Sequence, residues 1–320
     1  MSSKVFRVLK PGLLTTLQDL GREGFQQYGM VVAGAMDSFS LQVGNLLVGN
    51  KRGEAALEIT SVGPELVALN DTVISICGAD LSPTLDGANV PLWKSFEVKK
   101  GQILRFGAPK EGIYAYLAVA GGFNVPLVME SKSTYIGVNI GGLEGREIKV
   151  GDILHQGSSL WKQKKLLGRS LAPDNIPKYS SFYQARVILG PERDMFAEEG
   201  LKTFLTEKYI ITQQMNRMGY RLSGPRVEHK SKADIISDAV VFGTIQVPAN
   251  GEPIILLSDR QTTGGYSRIA TVISVDIPYV VQMTPGSQLS FEEVSLEQAQ
   301  YLYVENEKLL RTLSVAARFM

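Results

Sequence analysis

The chain is dominated by short apolar segments separated by glycine, proline, asparagine or aspartate. These segments recur roughly every 8–15 residues, and they are rich in the β-branched and aromatic residues that strands favour. Representative examples are ALEIT, TVISICG, QILRFG, AYLAVAGG, ARVILG, PIILL and IATVISV. Because turn residues punctuate the segments so regularly, the pattern predicts a mainly β protein.

Three stretches have helical periodicity instead. Asp37 is a candidate N-cap for a helix through about Asn50, because apolar residues follow it at helical spacing. Pro191 and the acidic residues after it suit the start of a second helix. Ser295 and Gln298 form a candidate capping box before a third. We therefore expect a few short helices that close the ends of β-barrels.

The length of 320 residues exceeds what one hydrophobic core usually serves, so two domains are expected. The clearest linker candidate is residues 157–181, and its basic cluster, which includes Lys162, is better explained by a solvated connection than by an anion-binding patch. We place the boundary near residue 180. The expected domains are an N-terminal β-rich domain of residues 1–180 and a C-terminal β-barrel domain of residues 181–320.

Composition argues against several classes of function. The 33 basic and 32 acidic residues leave a net charge of +1, which gives no electrostatic attraction to nucleic acid or to an anionic membrane. The single cysteine, Cys77, excludes an intrachain disulfide and a thiolate-rich metal site, and two distant histidines do not suggest a metal site either. No signal-peptide core and no apolar run of ~18 residues occurs. We expect a cytoplasmic protein that binds neither nucleic acid nor membrane.

The familiar signatures of nucleotide, metal and hydrolase sites are absent from the sequence. The stretch GNLLVGNK at Gly44–Lys51 is similar to a phosphate-binding loop, but its glycines fall inside the predicted helix instead of before its N-terminus. No G-x-G-x-x-G follows a strand, and neither H-E-x-x-H nor G-x-S-x-G occurs. Cys77 lies in an apolar strand, which favours a buried, inert thiol. An active site in this chain would therefore have an uncommon design.

Four polar clusters lie at predicted strand ends or turns, and three of them have simple structural explanations. Asp37 can act as a helix cap. Asp19 and Arg22 can pair across a turn, and Arg217 and Arg221 can flank a glycine in a hairpin. For Asp37 the cap is the preferred explanation over a catalytic role.

The fourth cluster, SDRQTTGGY, follows the apolar segment PIILL and is harder to explain as a turn. A turn needs a glycine with positive φ, but it does not need an arginine, a glutamine and two threonines together. Arg260 offers a bidentate fork for a carboxylate or phosphate, and Gln261 and Thr262 can orient an amide. A binding site and a decorated turn both remain open on these residues alone.

Six motifs occur in a fixed order over roughly residues 5–300. They are PGLLTTLQDLGREGF, AGAMDSFSLQVGNLLVGN, YLAVAGGFNVP, KSTYIG, NRMGYRLSGP and GTIQVPANGEPIILLSDRQTTGGY. Together they resemble the KipI-antagonist (KipA) family, also called allophanate hydrolase subunit 2 or the biotin-dependent carboxyltransferase family, which includes the C subunit of 5-oxoprolinase. The resemblance covers nearly the whole chain.

The resemblance implies a mainly β, cyclophilin-like β-barrel architecture and a sister protein, the KipI-like B subunit. In 5-oxoprolinase these two proteins work with a LamB/YcsF-like A subunit to open 5-oxo-L-proline to L-glutamate, so ATP is the implied cofactor. In urea carboxylase the homologous modules transfer a carboxyl group from biotin to urea. That alternative needs a separate biotin carrier, because no Met-Lys-Met signature is present. A third alternative is a regulatory protein that antagonises a KipI-type histidine kinase inhibitor.

Both enzymatic alternatives act on a small, planar amide, which suggests roles for the polar clusters. Activating an amide requires positive charge where negative charge develops, so Arg260 is the first catalytic candidate. Asp259 is a candidate base or a holder of Arg260. The candidate substrate-binding residues are Gln261, Thr262, Thr263, Tyr266, Arg217, Arg221 and Asp37. We expect the strand to deliver these groups to a barrel mouth that a partner protein completes.

Three positions depart from the pattern that the resemblance implies. Phe242 stands where a proline is expected, Asn216 where an aspartate is frequent, and Lys132 where an arginine is frequent. The lysine keeps the charge but loses the bidentate fork. These departures leave open which amide the protein takes.

Overall fold

The computed structural model describes residues 3–159 and 163–319 and is mainly β, as the segment pattern predicts. Its described residues form two compact units. The first comprises the chain up to Glu23, Ala33–Lys178 and the chain from Lys308 on. The second comprises Gly24–Val32 and Tyr179–Glu307. Along the sequence, the longest segments of the two units are divided between Lys178 and Tyr179, and each unit also includes at least one shorter segment from elsewhere in the chain.

The segment expected to be a solvated connection belongs largely to the first unit. Leu166 and Leu171 are buried, and Leu171 packs with Phe39 and Trp93. The Ser95 hydroxyl donates a hydrogen bond to the Leu166 carbonyl. Lys162, part of the basic cluster, lies outside the described residues.

Two antiparallel sheets make up most of the first unit. The strands are β1 Ser3–Lys10, β2 Leu14–Gln18, β3 Ala56–Thr60, β4 Glu65–Ala68, β5 Thr72–Asp80, β6 Thr84–Leu85, β7 Ala88–Asn89, β8 Ser95–Val98, β9 Ile103–Arg105, β10 Glu111–Val119 and β11 Ile153–Gln156. One sheet has the order β11-β1-β4-β9-β6-β7 and the other β2-β3-β10-β5-β8. Their inward residues form one apolar cluster that includes Phe6, Leu57, Ile76 and Leu117.

The second unit contains a closed seven-stranded barrel and a separate two-stranded sheet. Its strands are β12 Phe182–Leu189, β13 Tyr209–Asn216, β14 Gly219–Ser223, β15 Asp234–Ala239, β16 Thr244–Gln246, β17 Ile254–Leu256, β18 Thr263–Tyr266, β19 Arg268–Val272 and β20 Gln288–Glu293. The barrel order is β12-β19-β16-β17-β14-β13-β20, and β15 pairs with β18 outside it. The pairing of β12 with β20 is parallel. The predicted β-barrel architecture is confirmed for this unit.

Four α-helices accompany the strands of the described chain. They are α1 Ser38–Leu47, α2 Glu198–Thr206, α3 Ile277–Val281 and α4 Leu296–Phe319. Short 3₁₀ helices lie at Gln26–Tyr28, Ile136–Val138, Gln163–Lys165, Pro173–Asn175 and Arg193–Met195. No helix in this part of the chain combines the length and apolar character that crossing a membrane would need.

Two of the three predicted helix starts coincide with their capping signals, and the one predicted helix end does not. The first helix begins directly after Asp37 but ends at Leu47, before the expected Asn50. A 3₁₀ turn follows Pro191, so α2 starts later than predicted. The Gln298 amide donates to the Ser295 hydroxyl at 3.2 Å, as expected of a cap. An N-cap depends on hydrogen bonds between residues close in sequence, whereas the last residue of a helix depends on the tertiary contacts of that helix.

Asp37 is fully buried and holds the first turn of α1. The Ser40 amide donates to its Oδ1 at 2.9 Å, and the Ser40 hydroxyl donates to its Oδ2 at 2.6 Å. We expect Asp37→Ala to lower the free energy of unfolding by about 1–2 kcal/mol, because the turn loses its cap. Asp37→Asn keeps an acceptor and should lose less. Denaturant titration followed by tryptophan fluorescence measures both, and an alanine variant as stable as the wild type would contradict the cap.

Candidate ligand-binding site

A cavity of about 520 Å³ lies in the second unit, against the outer face of the barrel. On β14, Arg221 lines this cavity, whereas its neighbour Tyr220 is buried. On β17, Ile254 lines the cavity and Ile255 is buried. Since successive residues of a strand point to opposite faces, the buried residues fill the barrel and the lining residues face outward. This cavity therefore lies on the outside of the barrel wall, whereas the sequence predicted a site at the barrel mouth.

The two-stranded sheet of β15 and β18, hereafter the ribbon, forms another wall of the cavity. Residues Thr263–Tyr266 of β18 line it. The Gln246 side chain on the barrel donates from Nε2 to the Tyr266 carbonyl at 3.1 Å. Arg268, also on the barrel, donates to the Ala239 carbonyl at 2.6 Å and to Asp238 at 2.8 Å. These hydrogen bonds join both strands of the ribbon to the barrel.

The two glycines of the ribbon differ in what they permit. A Cβ on Gly264 would lie 2.3 Å from Gln246 Nε2, so any larger residue here would force the Gln246 side-chain amide to move. A Cβ on Gly265 would meet its nearest atom, the Ser237 hydroxyl, at an ordinary 3.5 Å. Both glycines lie in strand β18 and neither has positive φ, so they form part of the cavity wall and the expected turn glycine is not found there.

Arg260 is a partly buried cation in this cavity. Its Nε and Nη1 donate long hydrogen bonds to the carbonyls of Val240 at 3.3 Å and Leu257 at 3.2 Å. Its guanidinium carbon lies 5.8 Å from the ring centroid of Phe242, one of the positions that depart from the family pattern. Burial lowers the pKa of Arg260 to about 10. Among the described residues no carboxylate forms an ion pair with it, so the group is suited to an anionic ligand.

Asp259 and Arg217 form a buried ion pair beside the cavity. Both carboxylate oxygens of Asp259 accept hydrogen bonds from the Arg217 guanidinium, each at 2.9 Å. The Asp259 amide also donates to the Arg217 carbonyl at 2.8 Å. Neither residue lines the cavity. The predicted holder of Arg260 is therefore paired with a different arginine.

The other predicted site residues fall into two groups. Arg221, Gln261, Thr263 and Tyr266 line the cavity together with Arg260. Thr262 does not line it, and its carbonyl accepts a hydrogen bond from the Val240 amide at 3.2 Å. Asp37 belongs to the first unit, where it caps α1.

Sequence reasoning missed Gln246 and two methionines, Met215 and Met218, that also line the cavity. Gln246 is only 6% exposed. The available signal was a glutamine inside the apolar stretch GTIQVP, since a polar residue in a buried strand needs a partner.

All the charged residues in the described wall of the cavity are positive. Arg221 and Arg260 are its charged residues among those the structure describes, and no carboxylate, imidazole, amine or thiol lines it there. No group of potential metal ligands was found within residues 3–159 and 163–319. The wall offers cations, amides, hydroxyls and apolar surface, which together suit a small anionic ligand with an amide.

Comparisons of the sequence and of the structure with known proteins point to one family. The family model of the carboxyltransferase domain, subdomain A and B, matches residues 28–293. The C subunit of 5-oxoprolinase from Escherichia coli (strain K12) is 38% identical over 295 residues, which cover 92% of this chain and 93% of that protein. The Haemophilus influenzae protein of the same name is 36% identical over 292 residues, 91% of this chain and 92% of that protein. The crystal structure of the K. lactis urea amidolyase matches with a TM-score of 0.87 and 32% identity, over 97% of this chain and 20% of that chain.

Breaking the buried Asp259–Arg217 pair should be costly. We expect Asp259→Ala to lower the free energy of unfolding by about 3–5 kcal/mol, because it leaves the Arg217 charge buried without its counter-ion. The double variant Asp259→Leu with Arg217→Met should recover most of that loss. Chemical denaturation of Asp259→Leu, Arg217→Met and this double variant gives the coupling free energy. The exposed Arg193–Asp194 pair, 3.7 Å apart, is the control and should couple by no more than ~1 kcal/mol; equal coupling in both pairs would contradict this expectation.

The ribbon glycines supply a matched pair of variants. Gly264→Ala should displace the Gln246 amide, break its hydrogen bond to Tyr266 and lower the free energy of unfolding by about 1–3 kcal/mol. Gly265→Ala should stay within about 1 kcal/mol of the wild type, because its new methyl meets ordinary contacts. Denaturant titration compares the two, and a harmless Gly264→Ala would show that the close approach does not matter.

Proposed function

Since the chain belongs to the family of the carboxyltransferase domain, subdomain A and B, we propose that it serves as the C subunit of a 5-oxoprolinase. Two relatives of that name match more than 90% of both chains at 36–38% identity, which supports this choice within the family. In the proposed reaction, water adds across the lactam amide of 5-oxo-L-proline to give L-glutamate, and ATP hydrolysis drives it. A KipI-like protein, the B subunit, and a LamB/YcsF-like protein, the A subunit, complete the proposed assembly.

The observation that carries the proposal is the partly buried Arg260 in a cavity without acidic groups among its described residues. 5-Oxoproline has one carboxylate and one planar amide. Arg260 can bind the carboxylate or stabilise the negative charge that develops on the amide oxygen as water adds. Apolar residues such as Ile254 and Leu256 offer a surface for the methylene groups of the ring.

Proton transfer has to come from elsewhere in the proposed assembly. The side chains that most often act as general bases, histidine and the carboxylates, do not line the described cavity wall. Asp259 is engaged on both oxygens by Arg217. We therefore assign to this chain the binding and polarisation of the amide, and to the partner proteins the activation of water.

ATP binding is assigned to a partner as well. The one stretch that is similar to a phosphate loop has Gly44 inside α1, where a Cβ would contact Ser75 and Cys77 at 3.5 and 3.7 Å. This glycine packs the helix against a strand, so the stretch does not fit a phosphate cradle. Cys77 is fully buried, and burial raises the pKa of its thiol. No step of the proposal uses either feature.

Carboxyl transfer to a urea-like amide is the second candidate. The match to the urea amidolyase structure over 97% of this chain favours it, although this chain spans only about a fifth of that protein. The same cavity would then bind an amide while a biotin carrier on another protein delivers the carboxyl group. Both candidate reactions require polarisation of an amide. In the first, water attacks the amide and ATP drives the reaction; in the second, the amide receives a carboxyl group from biotin.

Reconstitution with the two partner proteins tests the proposal. We expect 5-oxoproline-dependent glutamate formation that requires this chain, and we expect Arg260→Gln to lower kcat/KM by roughly 100-fold or more through loss of charge stabilisation. Arg260→Lys keeps the charge without the planar fork and should fall between the two. Arg193→Gln, an exposed arginine outside the cavity, is the control and should leave the rate unchanged.

Two results would count against this assignment. Full activity in Arg260→Gln would remove the assigned role of the cation while leaving the reaction in place. An assembled complex that makes no glutamate would rule out the oxoprolinase function, and biotin-dependent carboxylation of urea would be tested next.

A further inference from the structure

Gln246 is a nearly buried polar side chain that the proposed chemistry does not yet use. It ends strand β16 and lines the cavity with only 6% of its surface exposed. A buried side-chain amide costs free energy unless its donor and acceptor atoms both find partners. The hydrogen bonds of Gln246 therefore decide which of its amide atoms is paired within the protein and which can bind a ligand.

The donor end of this amide is committed to the ribbon. Gln246 Nε2 donates to the Tyr266 carbonyl at 3.1 Å. The flipped amide would set Oε1 against that carbonyl, and two acceptors would repel each other, so the hydrogen-bond network fixes the orientation.

The acceptor end remains available to the cavity. In the described part of the chain no hydrogen bond to Gln246 Oε1 is formed. Asn216, another side-chain amide of the cavity wall, differs in this respect, because its Oδ1 already accepts hydrogen bonds from the amides of Met218 at 2.8 Å and Gly219 at 3.3 Å. Gln246 thus presents a nearly buried, oriented acceptor on a wall that carries no carboxylate among its described residues.

We propose that Gln246 Oε1 accepts a hydrogen bond from the N–H of the bound amide and thereby selects lactams with a free N–H over lactones. This assignment rests on the proposed function for its substrate. In 5-oxoproline the N–H and the carboxylate are borne by adjacent ring atoms, and the cavity wall offers an acceptor at Gln246 and a cation at Arg260. A neutral glutamine takes no proton, so the N–H is recognised and stays in place.

The discriminating ligand pair is 5-oxo-L-proline and its ring-oxygen analogue, 5-oxotetrahydrofuran-2-carboxylate. The two have the same ring size and carboxylate, but the lactone has a lone pair where the lactam has an N–H. In the wild type, the lactone should bind about 10- to 100-fold more weakly, because Oε1 is left unpaired and faces a second acceptor. Isothermal titration calorimetry of the full chain, alone and assembled with its partners, measures both affinities.

Two variants assign the discrimination to one side chain. Gln246→Met has similar length and no acceptor, and it should lose most of the preference for the lactam. Gln184→Met changes an exposed glutamine of barrel strand β12 that does not line the cavity, and it should keep the preference. If Gln246→Met does not fold, the lactam and the lactone compared on the wild type still test the proposal, because equal binding of the two would contradict it.

The outcomes separate this inference from the function on which it rests. A lactam that binds the wild type no better than the lactone would overturn the role of Gln246 and leave the oxoprolinase assignment intact. Equal discrimination in Gln246→Met and the wild type would overturn it in the same way. Failure of 5-oxoproline to bind either the chain or the assembled complex would overturn the proposed function and this inference with it.

Discussion

Closure of the seven-stranded barrel determines where polar groups can lie in the second unit. A closed barrel fills its interior with every second side chain, and here Tyr220, Leu222 and Ile255 occupy those positions. The alternate residues must face outward, so Arg221 and Ile254 line the cavity instead of the core. The ribbon lies against the Gln246 side chain at Gly264, where a Cβ would be only 2.3 Å from Nε2. Barrel closure therefore directs these side chains to the outer wall, where the ribbon adds a second wall to the cavity.

Two neighbouring arginines show how burial and pairing decide the role of a charge. Arg217 and Arg260 lie near each other in the fold through Asp259, which pairs with one and precedes the other in sequence. A buried arginine with a bidentate carboxylate stabilises the structure and has no charge to offer a ligand. Arg260 makes only long hydrogen bonds to carbonyls, and its lowered pKa reflects the loss of water around it. Its charge remains to be balanced by whatever the cavity binds.

The sequence predicted those features that depend on neighbouring residues. The spacing of short apolar segments indicated a β protein, Asp37 indicated the start of a helix, and the run from Arg260 to Tyr266 indicated a cavity wall. It could not indicate features that depend on distant pairing. The ribbon joins residues 234–239 to residues 263–266, and β18 of this pair forms a wall of the cavity outside the barrel. Gln246 was missed for the same reason, because its partners are the carbonyl of Tyr266 and the space beside Gly264.

The chemistry of the cavity wall gives a physical reason for a protein of this kind to act within a multi-protein assembly. A wall with two cations, oriented amides and no carboxylate or imidazole in its described part can hold an anionic amide and polarise it. It has poor means of moving a proton, because the nearest carboxylate in sequence, Asp259, is occupied by Arg217. Adding an acid to this wall would supply a base, but it would also pair with Arg260 and cancel the charge that binds the ligand. Separating amide recognition from proton transfer onto different chains avoids that conflict.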